Sequence, residues 1–149
     1  MIGLLQRVSA ARVCIDARCV GEIGRGILVL VGVERDDTEA EADRLLERLL
    51  GYRVFSDDTG RMNLSLRDVQ GGLLLVPQFT LAANTRKGTR AGFSSAASPE
   101  AGQQLFEFLV SRARESWQET GCGVFGADMQ VELTNDGPVT FWLQVPPAT

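Results

Sequence analysis

Two short runs of consecutive apolar residues stand out in the hydrophobic pattern of this chain, at residues 27–33 and 73–76. An apolar run bounded by turn signals is typical of a strand buried on both faces. The second run meets Pro77, which has no N–H to donate, so the sheet ladder should end there. The next residues, 78–80, would then lie at a strand end with backbone N–H groups free to contact a ligand. This stretch alone favours the simpler alternative, an ordinary surface loop after the strand.

Helical periodicity predicts two main helices. Thr38 and Glu41 form a capping-box pattern ahead of apolar residues at helical spacing, and Gly51 marks the end of the first helix. Ser98 is the expected N-cap of the second helix, with a proline at its first position. We expect the second helix to end at the glycines in residues 121–123.

The C-terminal third has the alternating pattern of a β-hairpin. Apolar and polar residues alternate over residues 127–133 and 139–145, with Asn135-Asp136-Gly137-Pro138 between them. An Asp-Gly pair between alternating segments predicts a tight hairpin, although Pro138 removes an N–H where the second strand should begin to pair. Further strands are expected at residues 1–9, 11–20, 52–55 and 62–66. The pattern predicts a single β-rich α+β domain over residues 1–149.

Composition excludes several classes of chemistry. The chain has no histidine, which removes Ser-His and Cys-His triads and histidine-ligated zinc. Its three cysteines, Cys14, Cys19 and Cys122, form no CxxC pair and argue against a disulfide framework or a zinc site. A net charge of −4 does not favour binding to a long nucleic acid, whose phosphates are bound by positively charged surfaces. No apolar run is long enough to span a membrane, so the cytoplasm is the expected location.

A local basic cluster interrupts this acidic chain after the second apolar run. Arg86, Lys87 and Arg90 lie in a polar segment rich in small residues, 82–98. Such a segment fits a flexible surface loop and equally fits a loop that contacts phosphate beside a site.

Two motifs taken together resemble those of the D-aminoacyl-tRNA deacylases. The resemblance extends over the whole chain, including its MIGLLQRV start and the stretches GEIGRGILVLVGVE and GYRVFSDDTGRMN. The two motifs are Gln78-Phe79-Thr80-Leu81 and Asn135-Asp136-Gly137-Pro138-Val139-Thr140.

This resemblance implies a homodimer with barrel-like sheets that needs neither metal nor cofactor. The implied reaction is hydrolysis of the ester that joins a D-amino acid, or glycine, to the terminal ribose of tRNA. A cis Gly-Pro motif would exclude L-aminoacyl groups from the partner subunit's site, and the ribose 2′-OH would assist the attacking water. The partner would be the tRNA 3′ end, with no membrane and no DNA.

The resemblance also assigns residues to the site. Gln78, Phe79 and Thr80 would surround the ester, and Arg7 would hold the Gly-Pro motif in position. The chiral gate would be Gly137 and Pro138. The terminal adenine would be lined by Phe125 and Met129, and the phosphates would be bound by Arg86, Lys87 and Arg90.

This sequence departs from the family pattern at two points. Pro77 stands where the family usually has serine, and Arg90-Ala91-Gly92-Phe93 replaces its usual Arg-Pro-Ser/Asp-Phe. Two other classes of function also fit the residues. One is a non-catalytic module that binds an RNA end or a peptide, and the other is an esterase that uses Asp or Thr chemistry.

Overall fold

The computed structural model describes residues 1–147. Its main sheet has six strands: β1 (Ile2–Ile15), β2 (Arg18–Ile23), β3 (Gly26–Gly32), β6 (Gly72–Pro77), β7 (Thr120–Cys122) and β8 (Gln130–Gln144). One edge of β1 pairs with β3 and then with β2, the other edge pairs with β8, and the sheet continues from β3 through β6 to β7. A separate two-stranded ribbon is formed by β4 (Phe55–Ser56) and β5 (Met62–Leu64). The helices are α1 (Glu39–Gly51), α2 (Leu66–Val69) and α3 (Pro99–Ser116), with a 3₁₀ turn at Phe79–Ala82.

The two apolar runs form neighbouring central strands, as predicted. Strands β3 and β6 are parallel, with Ile27 opposite Leu73 and Leu30 opposite Val76. Leu73 and Leu75 pack into the core beneath the helices, whereas Leu74 and Val76 pack into a second cluster on the opposite face of the sheet. Burial on both faces explains why β6 carries no polar position.

The helix starts are confirmed. Thr38 and Glu41 form the capping box of α1, and Ser98 caps α3 with Pro99 at its first position. The expected end of the second helix is wrong, because α3 ends at Ser116. Trp117 leaves the helix there, and its indole N–H donates to the Gly71 carbonyl at 2.8 Å. This contact directs the chain toward the sheet, where residues 120–122 pair with β6 as β7.

The predicted C-terminal hairpin is wrong. Residues 130–144 form one long strand, β8, and both halves of the alternating pattern pair with β1. The prediction failed because β1 is itself 14 residues long and offers a partner to each half. Between the pairs Gln6–Thr140 and Val8–Asn135, residues 136–139 lie opposite the single residue Arg7. We call residues 136–139 the excursion.

The segments before β3 also differ from the prediction. Strand β1 runs without a break from residue 2 to 15, so the predicted strands at 1–9 and 11–20 share one element. Asp16 and Ala17, both with positive φ, make the turn into β2. This turn places Cys14 opposite Cys19, and the structure joins them by a disulfide, contrary to the expectation from cysteine spacing. Cys122 is a free thiol.

Of the two short strands after α1, the first begins three residues later than predicted, whereas the second begins at the predicted residue and is two residues shorter. The segment expected at 52–55 is β4 at Phe55–Ser56, and the end of the segment expected at 62–66 enters α2. Ser65 and Asp68 form a capping box there, so the sequence did contain the signal for this short helix. None of the helices within residues 1–147 is long and apolar enough to cross a membrane.

A buried ion pair fixes the start of β1. The Met1 ammonium donates to Asp37 at 2.8 Å, to Glu34 at 3.0 Å and to the Val145 carbonyl at 2.6 Å. The side chains of Met1 and Asp37 are both fully buried. Burial raises the pKa of Asp37, and the hydrogen bond from the ammonium opposes that shift. The pair therefore ties the β1 terminus to the start of α1 and to the residue after β8.

We expect Asp37→Asn to lower the free energy of unfolding by about 3 kcal/mol, because it leaves a buried ammonium without its nearest carboxylate. Urea denaturation at pH 7 measures the change. Asp36→Asn, at the exposed neighbouring position, is the matched control and should stay within about 0.5 kcal/mol of the parent. Equal midpoints for the two variants would contradict the assigned role of Asp37.

Candidate active site

The end of β6 carries the first predicted motif on a tight turn. We call residues 78–82 the catalytic turn, after the role that the family resemblance implies for them. The Gln78 N–H donates to the Val31 carbonyl at 2.8 Å, so the chain stays attached to β3 one residue beyond Pro77. The first hydrogen bond of the turn runs from the Leu81 N–H to the Gln78 carbonyl at 3.2 Å. Since the first N–H groups of a helical segment have no acceptor within it, those of Phe79 and Thr80 are available to a ligand.

Gly32 allows the catalytic turn to pack this closely on β3. A Cβ at this position would lie 2.9 Å from Leu81 Cβ and 3.3 Å from the Gln78 carbonyl oxygen. Any side chain would therefore push the turn away from the strand.

The Thr80 hydroxyl is oriented by a neutral partner. The Gln78 side-chain amide donates to it, and the hydrogen bonds of the described residues give it no carboxylate partner. Thr80 and Phe79 are both exposed. This arrangement supplies hydrogen-bond donors to a developing charge, but it contains no base that could deprotonate the hydroxyl.

An apolar cleft of about 240 Å³ opens beside the catalytic turn. Pro77 and Phe79 line one side of it, and Phe125 and Gly102 line another. Gly102 lies in α3 where a Cβ would come within 3.2 Å of the Phe125 ring, so its lack of a side chain lets the ring approach the helix. A cleft with exposed aromatic walls suits a flat, stackable ligand.

Met129 does not line this cleft. Its sulfur accepts from the Val124 N–H at 3.4 Å and lies 2.7 Å from where a Gly123 Cβ would stand. The same Cβ would lie 3.2 Å from Pro77 Cδ. Met129 therefore supports the segment behind Pro77.

Arg7 holds the excursion from the opposing strand. Its Nε donates to the Asp136 carbonyl at 2.8 Å, and its Nη1 donates to the Val54 carbonyl at 2.7 Å. One guanidinium thus connects the excursion, β1 and the segment before β4. The planar fork of donors makes arginine suited to two divergent acceptors at once.

The Asn135 side chain connects the two ends of the excursion by hydrogen bonds. Its side-chain oxygen accepts from the Val139 N–H at 2.7 Å, and its amide nitrogen donates to the Thr140 hydroxyl at 2.9 Å. Gly137 has φ +149° and the Gly137–Pro138 peptide bond is cis. Gly137 and Pro138 are exposed, so the excursion presents a fixed backbone at the protein surface.

The structure groups the predicted residues into two separate sets. Phe79 and Phe125 line the same cleft, whereas Arg7 forms a hydrogen bond with the excursion, which contains Gly137 and Pro138. Within residues 1–147, no hydrogen bond or ring contact links the excursion to the catalytic turn. The sequence analysis missed Asn135 as the residue that closes the excursion and the Val54 carbonyl as the second acceptor of Arg7. An asparagine immediately before Asp-Gly was the available signal for the first.

The three basic residues project from a loop with a closed base. Asn84 and Gly92 exchange backbone hydrogen bonds of 2.7 and 2.9 Å, and the Asn84 side chain accepts from the Arg86 N–H at 3.1 Å. Arg86, Lys87 and Arg90 surround one shallow concavity together with Ser94. We call residues 84–95 the basic loop. Its closed base favours presentation of the cations as a group.

Comparison with known proteins gives the class to which these features belong. A family model described as D-Tyr-tRNA(Tyr) deacylase matches residues 4–144. The chain belongs to this family, and it is a hydrolase of the D-aminoacyl-tRNA deacylase type.

Relatives with high sequence identity agree with this assignment. A D-aminoacyl-tRNA deacylase of Alkalilimnicola ehrlichii is 64% identical over 148 residues, with 99% of each chain covered. One of Thioalkalivibrio sulfidiphilus is 65% identical over 147 residues, with the same coverage. A solved structure named c-Myc DNA Unwinding Element Binding Protein has a TM-score of 0.93 and 36% identity, covering 98% of this chain and 99% of its own. A probable eukaryotic D-amino acid tRNA deacylase, 15% identical with 97% and 98% coverage, shares the fold with a TM-score of 0.86.

We expect Gly137→Ala to disrupt the excursion. Its Cβ would lie 2.7 Å from Val139 Cγ2 and 3.2 Å from Arg7 Nη2, so Arg7 would be displaced. The free energy of unfolding should fall by about 1–3 kcal/mol, and deacylation of D-tyrosyl-tRNA should slow about tenfold, which corresponds to 1.36 kcal/mol in the barrier.

Gly60→Ala provides the matched control, because Gly60 also has positive φ but a Cβ there would meet nothing within 4 Å. This variant measures the cost of placing alanine at positive φ without a steric clash, and it should leave the rate of deacylation unchanged. Similar deacylation rates for both variants, measured with the same labelled tRNA, would show that the excursion has no part in the reaction.

Proposed function

We propose that this enzyme hydrolyses the ester between a D-amino acid, or glycine, and the terminal ribose of tRNA, and rejects L-aminoacyl groups with the excursion. The substrate range includes glycyl-tRNA formed by mischarging of tRNA-Ala. The observation that carries this proposal is the double hydrogen bond of Arg7, which fixes the backbone of the excursion from two sides.

Hydrolysis of an activated ester does not require a strong protein base. The N–H groups of Phe79 and Thr80 stabilise the negative charge that develops on the carbonyl oxygen, and the ribose 2′-OH of the substrate assists the attacking water. This division of work suits a chain without histidine. Pro77, in place of the usual serine, removes a side-chain hydroxyl from the site, and the proposed chemistry does not need one there.

Chiral discrimination by exclusion needs a rigid obstacle. Backbone carbonyls of the excursion would clash with the side chain of an L-aminoacyl group and leave room for that of its D-enantiomer. Glycine has no side chain and would pass. Arg7 and Asn135 together restrain the backbone on both sides of Gly137, so the obstacle cannot easily move aside.

Assembly of the complete site requires a second copy of the chain. Within residues 1–147, no hydrogen bond or ring contact joins the excursion to the catalytic turn, and each has exposed residues at the surface. The helices cover one face of the sheet, whereas the other face bears half-buried apolar residues packed on its cluster: Leu30, Met129, Val131 and Leu133. A two-fold dimer would cover this face and bring the excursion of each subunit to the turn of its partner.

The acceptor end of tRNA fits the remaining features. The cleft beside Phe125 accepts the terminal adenine by stacking, and the basic loop neutralises nearby phosphates. Because only this single-stranded end is held, the acidic character of the whole chain is no obstacle. Membership of a hydrolase family argues against the non-catalytic binding module considered for this sequence.

The proposal is tested with purified protein and tRNA charged with D-tyrosine, L-tyrosine or glycine. We expect rapid release of D-tyrosine and glycine and no release of L-tyrosine beyond the spontaneous rate. A matched acceptor minihelix with a deoxyribose 3′ end distinguishes RNA from DNA recognition. Hydrolysis of the L- and D-esters at equal rates would contradict the assignment of the excursion as a chiral gate.

Arg7→Lys should weaken discrimination more than it lowers activity. A lysine keeps the charge, but its single ammonium cannot satisfy the Asp136 and Val54 carbonyls with the same geometry. We expect the ratio of D- to L-tyrosyl-tRNA hydrolysis to fall at least tenfold, since a lost charge-assisted hydrogen bond corresponds to about 1.5–3 kcal/mol. Arg12→Lys is the control on the same strand, because Arg12 is exposed and its ion pair with Glu132 lies at the surface.

Thr80→Ala should retain substantial deacylase activity, within about tenfold of the parent, because the backbone N–H remains in place. A tRNA that ends in 2′-deoxyadenosine should be deacylated at least about 10²-fold more slowly, which is the scale of removing an acid–base group. Single-turnover rates with both tRNAs measure the two effects. A loss near 10³-fold for Thr80→Ala would instead identify its hydroxyl as the acid–base group or nucleophile.

A further inference from the structure

Two large apolar side chains are exposed side by side at the edge of the catalytic turn. Phe79 is 58% exposed and Phe93 is 47% exposed. Their ring centroids lie 5.3 Å apart with planes at 41°. A single exposed apolar residue is ordinary. A pair of neighbouring exposed rings resembles the platforms on which unpaired bases of nucleic acids stack.

The position of Phe93 connects two features already described. Phe79 lines the apolar cleft, whereas Phe93 does not. Phe93 lies between Gly92 and Ser94, which both line the concavity of the basic loop. The surface therefore runs from the cleft, past Phe79 and Phe93, to the three cations.

Phe93 is held in place on both sides in sequence. Before it, Gly92 exchanges backbone hydrogen bonds with Asn84. After it, the Ser95 hydroxyl donates to the Ala82 carbonyl at 2.6 Å, which attaches the basic loop to the end of the catalytic turn. A ring fixed in this way loses little freedom when a ligand stacks on it, so more of the contact energy appears as affinity.

We propose that Phe93 is a stacking site for the base of the nucleotide that precedes the terminal adenosine. This rests on the proposed function, in which the cleft accepts the terminal base and the basic loop binds phosphate. The next base in the strand then reaches the ring of Phe93, and its phosphate faces Arg86, Lys87 and Arg90. Stacking on an aromatic ring tolerates any base, so the site adds affinity without sequence preference.

Binding of two non-hydrolysable ligands tests this site. One is adenosine carrying D-tyrosine through a 3′-amide, and the other is the trinucleotide CCA carrying the same group. For Phe93→Ala we expect Kd for the trinucleotide to rise about tenfold, within the range measured for loss of one stacked base, and Kd for the adenosine ligand to stay unchanged. Phe93→Tyr, which keeps the ring face, should match the parent, and Thr89→Ala controls for other changes in the basic loop.

The salt dependence separates stacking from phosphate binding. The slope of log Kd against log salt concentration should be the same for Phe93→Ala and the parent, whereas Arg86→Ala should reduce it by about 0.7, the value for one phosphate contact on a single strand. Equal changes in Kd for both ligands, or none for either, would overturn the proposal, because the ring would then act only by supporting Phe79 or not at all. These are equilibrium measurements, so they remain decisive even if the enzyme fails to hydrolyse D-aminoacyl-tRNA.

Discussion

Strand β1 is hydrogen-bonded along both edges for most of its length, and this double pairing determines where the functional segments lie. Along one edge it pairs first with β3 and then with β2, and along the other it pairs with β8. None of these three strands can shift by one residue along β1 without turning buried side chains to the surface. Four residues of β8 lie opposite the single residue Arg7, so the three extra residues are accommodated as an excursion at this point.

The same constraint explains the character of the chemistry. The catalytic turn is attached to β3 through the Gln78 N–H, and the excursion is attached to β1 through Arg7. Both sets of groups belong mainly to the backbone, and backbone groups on a rigid sheet are well positioned before the substrate arrives. In the function proposed for this enzyme, discrimination between mirror-image substrates depends on such positioning and not on proton transfer, so it needs no histidine.

Local signals in the sequence predicted much of this fold. The caps at Thr38 and Ser98 were correct because capping depends on hydrogen bonds within a few residues. The long strand β8 was mistaken for a hairpin because alternation records which residues face the core and not which strand lies alongside. The pairing of Cys14 with Cys19 depends on a turn of two residues with positive φ, for which Asp16 and Ala17 give little signal.

The residues of the candidate site were predicted mainly from the family resemblance. Sequence reasoning alone placed polar groups after Pro77, and that placement was correct. It could not assign acceptors to Arg7, because the Asp136 and Val54 carbonyls lie far from Arg7 in sequence. The adenine-lining role that the resemblance implies for Met129 stays a prediction, since the structure shows only its contact with the Val124 N–H and its position next to Gly123.

The separation of Arg7 from Asp136 by 129 positions also bears on how the molecule forms. Contacts between distant segments carry the largest loop-closure entropy and tend to limit the folding rate. The catalytic turn, by contrast, needs only β3 and β6, which lie much closer together along the chain. The turn proposed to bind the ester therefore has a smaller entropic barrier to formation than the excursion proposed to select the enantiomer. In the proposed function, rejection of the wrong enantiomer depends on β1 and β8, which come from opposite ends of the polypeptide.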